Sequence, residues 1–401
     1  MNAIQTRPLQ QTLLTFGGIS TAALILSIPF STSIAIIITG ILLAIWLLSA
    51  QFLTLPALLK NNPIAVCAML LLALFFIGIS YSSATVNEAL SICSKYRELF
   101  LLIVLLPFLS IQRHREWAFT AFITGAIATL CVSYAMWFDL IPRPLYAATL
   151  KGIITHSIMV SFFAFFSANK IIQAKKKSMK IVWAFILLLT LHNLFFVAMG
   201  RTGQFIGLSL AILFCFQHLN KKQTLIILVV FTLFLVYFIK YSSVAFRVTE
   251  GIANVMHYNP NKPETESSMG RRLTFWKNTV RLIEEKPWLG HGTGSFKAEY
   301  QRIAPSREIM TVNPHNAFLY ITAQLGIPGF LAFIGFLGSL YECLNKLPSE
   351  DKMLAQGLLV SFIITCLFNT PILDHTEGHW YISLIALLYA PLTPNLPNHQ
   401  C

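Results

Sequence analysis

The chain has 401 residues, of which 56% are hydrophobic and only 11% charged, with a mean hydropathy of +0.67 and a formal net charge of +13. Soluble domains carry roughly a quarter charged residues, so a soluble enzyme is excluded and an all-α, polytopic membrane protein is expected. Its surroundings are membrane lipids, and no nucleic-acid partner is expected. Seven cysteines without CxxC or Cys/His metal spacing predict neither a disulfide framework nor structural zinc.

Apolar runs about the ~20 residues needed to cross a bilayer core predict about twelve spans in chain order: 12–29, 33–55, 63–81, 92–111, 117–138, 153–172, 181–199, 203–219, 223–241, 316–341, 353–369 and 379–393. Lys95, Arg97 and Glu98 crowd one end of the fourth. The first run has no small-residue cleavage site, which predicts an uncleaved helix rather than a removed leader. Lys and Arg in short loops set orientation. With a cytoplasmic N-terminus, thirteen of them fall inside and five (Lys95, Arg97, Arg143, Lys151 and Arg201) in short outside loops. Both termini are therefore expected in the cytoplasm. The other eleven basic residues lie with seven acidic ones in a single long outside segment, 240–315, between the ninth and tenth spans. The chain reads as one membrane domain, 1–401, carrying this loop.

No internal repeat is apparent, and the layout is lopsided, unlike transporters built from inverted repeats. Arg201, in "FFVAMGRTGQFIGLSL", lies between two apolar spans without a nearby acid. An arginine at bilayer depth costs on the order of 2.5–3.5 kcal/mol or more. It either snorkels to the headgroups or faces a cavity or an anion, and Gly200 and Gly203 would let a bulky ligand approach. Arginine forks suit phosphate oxygens. Arg247, just after the ninth span, and Arg271 and Arg272 are further candidates for the same anion.

Within the long loop, 271–286 ("RRLTFWKNTVRLIEEK") spaces Leu273, Trp276, Val280 and Ile283 as one face of an amphipathic helix. That face could lie at headgroup level or against the protein's own bundle. Trp276 is one turn beyond Arg272, on the same side. "PWLGHGTGSF" (287–296) follows. Its proline ends the helix and its glycines allow an irregular turn; with no preceding strand it is not a dinucleotide fingerprint. In "TVNPHNAFLYITAQLGIPG" (311–329), Asn313 as helix cap and Pro314 in the first turn would place His315 at the outer mouth of the tenth span. Such a histidine is either a boundary residue bonded to backbone or a catalytic group. "DHTEGHW" (374–380) gathers Asp374, His375, Glu377 and His379 in what reads as a polar outside turn. It could bind a metal, but the spacing is not HExxH. His156 and His192 have no evident role.

"GRTG" at the head of a span, "RRLTFW" followed by "KPWLGHGTGSF", and "HNAFLYITAQLGIPG" before a further pair of spans resemble the O-antigen ligase family. That family shares a domain with O-antigen polymerases and some protein O-oligosaccharyltransferases. The resemblance covers about 195–335 specifically and the whole chain in length and span count. It implies a metal-independent glycosyltransferase of the Gram-negative inner membrane, with its active site on the periplasmic side and no cofactor. Its donor would be a glycan on undecaprenyl pyrophosphate and its acceptor the lipid A–core. By the same resemblance His315 is the base, and Arg201, Arg272 and, less directly, Arg247 bind pyrophosphate, with Arg271 the alternative to Arg272. A neutral imidazole suits the base role, and arginines on the departing pyrophosphate suit its growing charge. Polymerase and protein glycosyltransferase are the readings nearest to this one. A transporter for an anionic lipid or solute, with Arg201 lining its path, is the reading from another class.

Overall fold

The computed structural model describes residues 3–142, 149–220, 268–304 and 310–393, with isolated positions between 222 and 233. The described residues form helices and no strand. In chain order these are α1 (Ala3–Ser27), α2 (Thr32–Leu48), α3 (Leu55–Asn61), α4 (Pro63–Ile77), α5 (Val86–Tyr96), α6 (Glu98–Leu109), α7 (Gln112–Trp137) and α8 (Ile153–Gln173). They are followed by α9 (Lys177–His192), α10 (Arg201–His218), α11 (Ser268–Glu285), α12 (Phe296–Ile303), α13 (Ala317–Cys343), α14 (Ser349–Phe368) and α15 (His375–Tyr389). The expected ninth span lies largely outside the described residues, and Arg247 wholly so.

Where the chain is apolar on every side, short polar residues mark the helix starts. The Ser31 hydroxyl accepts from Ile34 N–H, and Asn62 Oδ1 accepts from Ile64 and Ala65 with Pro63 at the first position. Thr85 and Glu88 close a capping box on α5. The centre of the bundle is α6, buried at every position but Phe100, packed on α15, which is buried from Thr376 to Tyr389. At the other extreme only Thr190 of α9 is buried, while Ile181, Val182, Phe185 and Leu188 stand open. A bilayer accepts such a stripe where water would not.

Among the described residues five helical stretches are long and apolar enough to cross a membrane, and α2 with the bent 51–61 segment (76°) makes a sixth. The protein is thus a multi-pass membrane protein. Of the other expected spans among the described residues, α8 (21 residues) and α10 (18 residues) are long enough but less apolar, and the rest are short. The predicted 92–111 span breaks at Arg97 into α5 and α6, the latter of 12 residues, while α4 and α15 have 15 each. Of these, α6 and α15 are enclosed by their neighbours, while α4 keeps Val66, Leu70, Phe76 and Ile77 exposed.

One break organises the rest. Inside α13, Gly326 adopts φ 62°, ψ −156°, with Pro328 close behind. The 287–295 turn docks into the gap. His291 N–H donates to Ala323 O (3.0 Å), Gly292 N–H to Gln324 O (2.8 Å) and Gly294 N–H to Gln324 Oε1 (2.7 Å), while Ile327 N–H donates back to Pro287 O (2.9 Å). On its other side the turn reaches the end of α4, where Thr293 N–H donates to Gly78 O and Thr293 Oγ1 to Phe75 O. The three turn glycines have φ of 69°, 89° and 85°, which only glycine adopts freely. A Cβ on Gly326 would collide with the Trp288 carbonyl. Gly326→Ala is therefore expected to cost about 2 kcal/mol or more, read as a lower thermal midpoint of the detergent-purified protein.

Candidate active site

The loop helix α11 reaches the site from the turn just described. It buries Thr274, Phe275, Asn278, Thr279 and Leu282 and rests on α12 and α13. The Phe275 ring meets Tyr300 edge-on, and Asn278 Nδ2 donates to the Tyr300 hydroxyl. The expected apolar face needs rotating: Trp276 and Ile283 are half-buried, but Val280 is 41% exposed. Phe275 and Leu282, seven residues apart, carry the contact instead, because the Tyr300 side of the loop is where apolar surface waits. Trp276 has a second use. Its Nε1–H donates to Pro314 O (2.9 Å), tying α11 to the residue before His315.

The segment leading to His315 folds on its own side chains. Thr311 and Asn313 bond reciprocally, and Asn313 Oδ1 accepts from His315 N–H (2.8 Å). This puts His315 at φ 54°, a left-handed conformation uncommon outside glycine. Sequence spacing had Asn313 as the cap and His315 in the first helical turn. In the structure Asn316 caps α13, accepting from Leu319 N–H, and His315 precedes the helix. The apolar run starts at Ala317, so the nearer asparagine serves.

The half-buried imidazole faces Phe275 at 6.4 Å between ring centres, and its Nδ1 lies 3.3 Å from Asn369 Oδ1. Burial pushes its pKa below the ordinary histidine range. The bond to Asn369 opposes this, and the charges of Arg272 and then Arg271 add to the depression. Both loop arginines therefore act on the ring. Arg272 is the more enclosed, and burial followed by the charge of Arg201 holds its guanidinium below its usual range. His315, Arg201, Arg271 and Arg272, drawn from three separate stretches of sequence, thus share one site. Among the described residues no carboxylate pairs with Arg271 or Arg272.

Arg201 is the first residue of α10 and is exposed. Its flanking glycines do not open a path for a ligand, as the spacing suggested. A Cβ on Gly200 or Gly203 would fall on Ser157 of α8, and Ser161 Oγ donates to Gly203 O (2.6 Å). They let α8 and α10 pack closely, which fixes where Arg201 stands.

The 374–380 cluster is not a loop. Asp374 caps α15 by accepting from Thr376 and Glu377 N–H. The signal was present: an aspartate followed three residues later by glutamate ahead of an apolar run is a helix start. Glu377, 2% exposed, accepts from Thr155 Oγ1 (2.9 Å) and from Asn369 Nδ2 (2.8 Å). His379 bonds the His375 carbonyl and Thr39 and lies 3.1 Å from Glu98. Among the described residues no group of three or more His, Cys, Asp or Glu side chains is placed to hold a metal. His156 bonds Asn193, which bonds Ser133, and His192 bonds Tyr134, so both are tied into helix contacts. Asn369 escaped sequence reasoning altogether, and Lys151, which donates to Thr32 and Thr376, was read only as a charge in an outside loop. Neither has a local pattern around it.

An all-helical, multi-pass membrane protein with a cationic, histidine-bearing site at the helix ends is the class these features define. Residues 183–334, which include Arg201, both loop arginines and His315, match the model of the O-antigen ligase family. It is 27% identical over 140 residues to a putative polysaccharide ligase of Rickettsia conorii, covering 32% of this chain and 34% of that one. An O-antigen ligase of Pseudomonas aeruginosa is 30% identical over 131 residues, 31% of each chain. The matches therefore span about a third of the length of these curated relatives.

Trp276→Phe keeps the ring but loses the bond to Pro314. It is expected to speed amide hydrogen exchange at 311–316 while leaving α14 and α15 protected, and to cost about 1 kcal/mol.

Proposed function

We propose that this protein transfers a finished O-antigen glycan from undecaprenyl pyrophosphate to a sugar hydroxyl of the lipid A–core. The observation that carries this reading is the set of arginines gathered beside a half-buried histidine, with no carboxylate among the described residues pairing Arg271 or Arg272. Like charges held together in a desolvated site are costly unless an anion joins them, and a pyrophosphate carries the right charge and geometry.

In the reaction His315 takes the proton of the acceptor hydroxyl as its oxygen attacks the anomeric carbon. The bond from that carbon to the phosphate oxygen breaks, and the electron pair leaves with the pyrophosphate. Arg201, Arg272 and Arg271 stabilise the charge that accumulates there; Arg247 is proposed as a fourth. With a leaving group this good and cations already placed, neither a general acid nor a metal is required. Cytoplasmic termini and an outward-facing site rest on the loop charges, while the inner membrane and the periplasm are what the family resemblance implies. All twelve spans as a single domain, with the 240–315 loop inserted between the ninth and tenth, belong to the same proposal. The helix ends that meet at the site (the starts of α2, α8, α10, α13 and α15) lie on one side, as an alternating topology requires. The names of the Rickettsia and Pseudomonas relatives favour a ligase over a polymerase.

A deletion strain is expected to show bare lipid A–core on a lipopolysaccharide gel, with long glycan retained on the lipid carrier. His315→Ala should fail to restore the ladder. A core carrying a single repeat unit would identify a polymerase instead, and a normal ladder would refute the ligase. Purified protein should keep its transfer activity in EDTA. Because the base works only when neutral, kcat/KM should fall as pH drops through the free-enzyme pKa of His315, at a midpoint below ~6.5. Arg272→Gln, besides slowing transfer, should move that midpoint upward by removing a cation.

A further inference from the structure

A neutral imidazole is a base at one nitrogen only, and which one depends on where the other ring proton is held. His315 Nδ1 faces Asn369 Oδ1 at 3.3 Å, and no described residue bonds its Nε2. The assignment rests on which way the Asn369 amide points, since its O and NH2 ends have nearly the same shape. Glu377 decides that. Its Oε2 is 2.8 Å from Asn369 Nδ2, and its Oε1 is 2.9 Å from Thr155 Oγ1. The Thr155 hydroxyl donates to Oε1, and an ionised carboxylate has only acceptors to offer, so Oε2 accepts as well. It therefore takes the NH2 end of Asn369. The carbonyl end is left to accept from His315 Nδ1–H, and the lone pair is left on Nε2.

We propose that Asn369, oriented by Glu377, is a positioning residue that fixes the His315 tautomer with the proton on Nδ1 and the basic lone pair on Nε2. The inference deepens the reading of His315 as the base and rests on it. The acceptor hydroxyl's proton then goes to Nε2, giving an imidazolium whose Nδ1–H remains on Asn369. Asn369 is held for this task by its backbone. It ends α14 in an extended conformation (φ −155°, ψ −176°), which turns its side chain from the helix toward α15. Glu377 lies in the first turn of α15, with its N–H on Asp374, so the carboxyl has little freedom to turn away.

The test reads the tautomer and the reaction separately. Protein labelled with 15N-histidine reports which ring nitrogen carries the proton, with His315 assigned by its loss in His315→Gln. The wild type should show Nδ1–H. Glu377→Gln lets a new amide donate to the Asn369 carbonyl, turning the amide over and placing NH2 against His315 Nδ1. The proton should then appear on Nε2, and kcat for transfer from the lipid-linked donor should fall about 100-fold with KM little changed. The double variant N369D/E377Q exchanges amide and carboxylate, so that the carboxylate accepts from both sides. It should return the proton to Nδ1 and recover most of kcat. Its acid limb should move to higher pH, because an anion now faces the ring.

Nε2–H in the wild type would overturn the proposal, as would Glu377→Gln with both tautomer and kcat unchanged. A double variant that regains the tautomer but not kcat would also overturn it. Transfer that survives His315→Ala would sink the base reading instead, while the tautomer signals still judge the Asn369 arrangement on their own.

Discussion

The 287–295 turn, seated in the gap of α13, is the contact on which the geometry of the site depends. A helix broken at Gly326 exposes carbonyls that its own next turn cannot satisfy, and the turn's N–H groups take those of Ala323 and Gln324. In exchange the turn is held between α13 and the end of α4. The loop helix α11 leaves it in a fixed direction, and the bond from Trp276 to Pro314 then closes the circuit back to the start of α13. The arginines and His315 sit at opposite ends of that circuit. A loop of this length would otherwise leave them unrelated.

The pairing of the cations elsewhere sets the site apart. Arg115 is matched to Asp351 and also bonds the Leu387 carbonyl, and Arg302 is matched to Glu285 and Glu299. These pairs neutralise charge at little net gain in stability. Among the described residues no carboxylate pairs with Arg271 or Arg272, and Glu377 is turned onto Asn369 and Thr155. Burial, and then the charges of Arg272 and Arg271, hold the His315 pKa below the ordinary histidine range.

The sequence made the outline of the site legible because its members break local rules. An arginine between two apolar runs and a histidine at a helix mouth are each conspicuous without a fold. Helix starts were legible where a short polar residue precedes an apolar run, and were misread at His315 and at 374–380, where two candidate caps or a charged cluster competed. The second and fourth expected spans came out broken, since hydropathy registers composition and not the breaks at 49–54 and at Arg97. Gly200 and Gly203 were misjudged because a glycine makes room equally for a ligand or a neighbouring helix, and only the position of Ser157 distinguishes these. Asn369 was invisible. Its importance lies wholly in what two other segments bring to its two ends.

The histidine and the asparagine that faces it are 54 residues apart, and Glu377 is 8 further on. At about 5–20 residues per second of synthesis, His315 leaves the ribosome on the order of seconds before the residues that hold its proton in place exist. Throughout that interval the nascent protein has its arginines and its imidazole but no means of choosing a nitrogen. The arrangement around that ring is complete only when α15 comes to rest against α6 and α14.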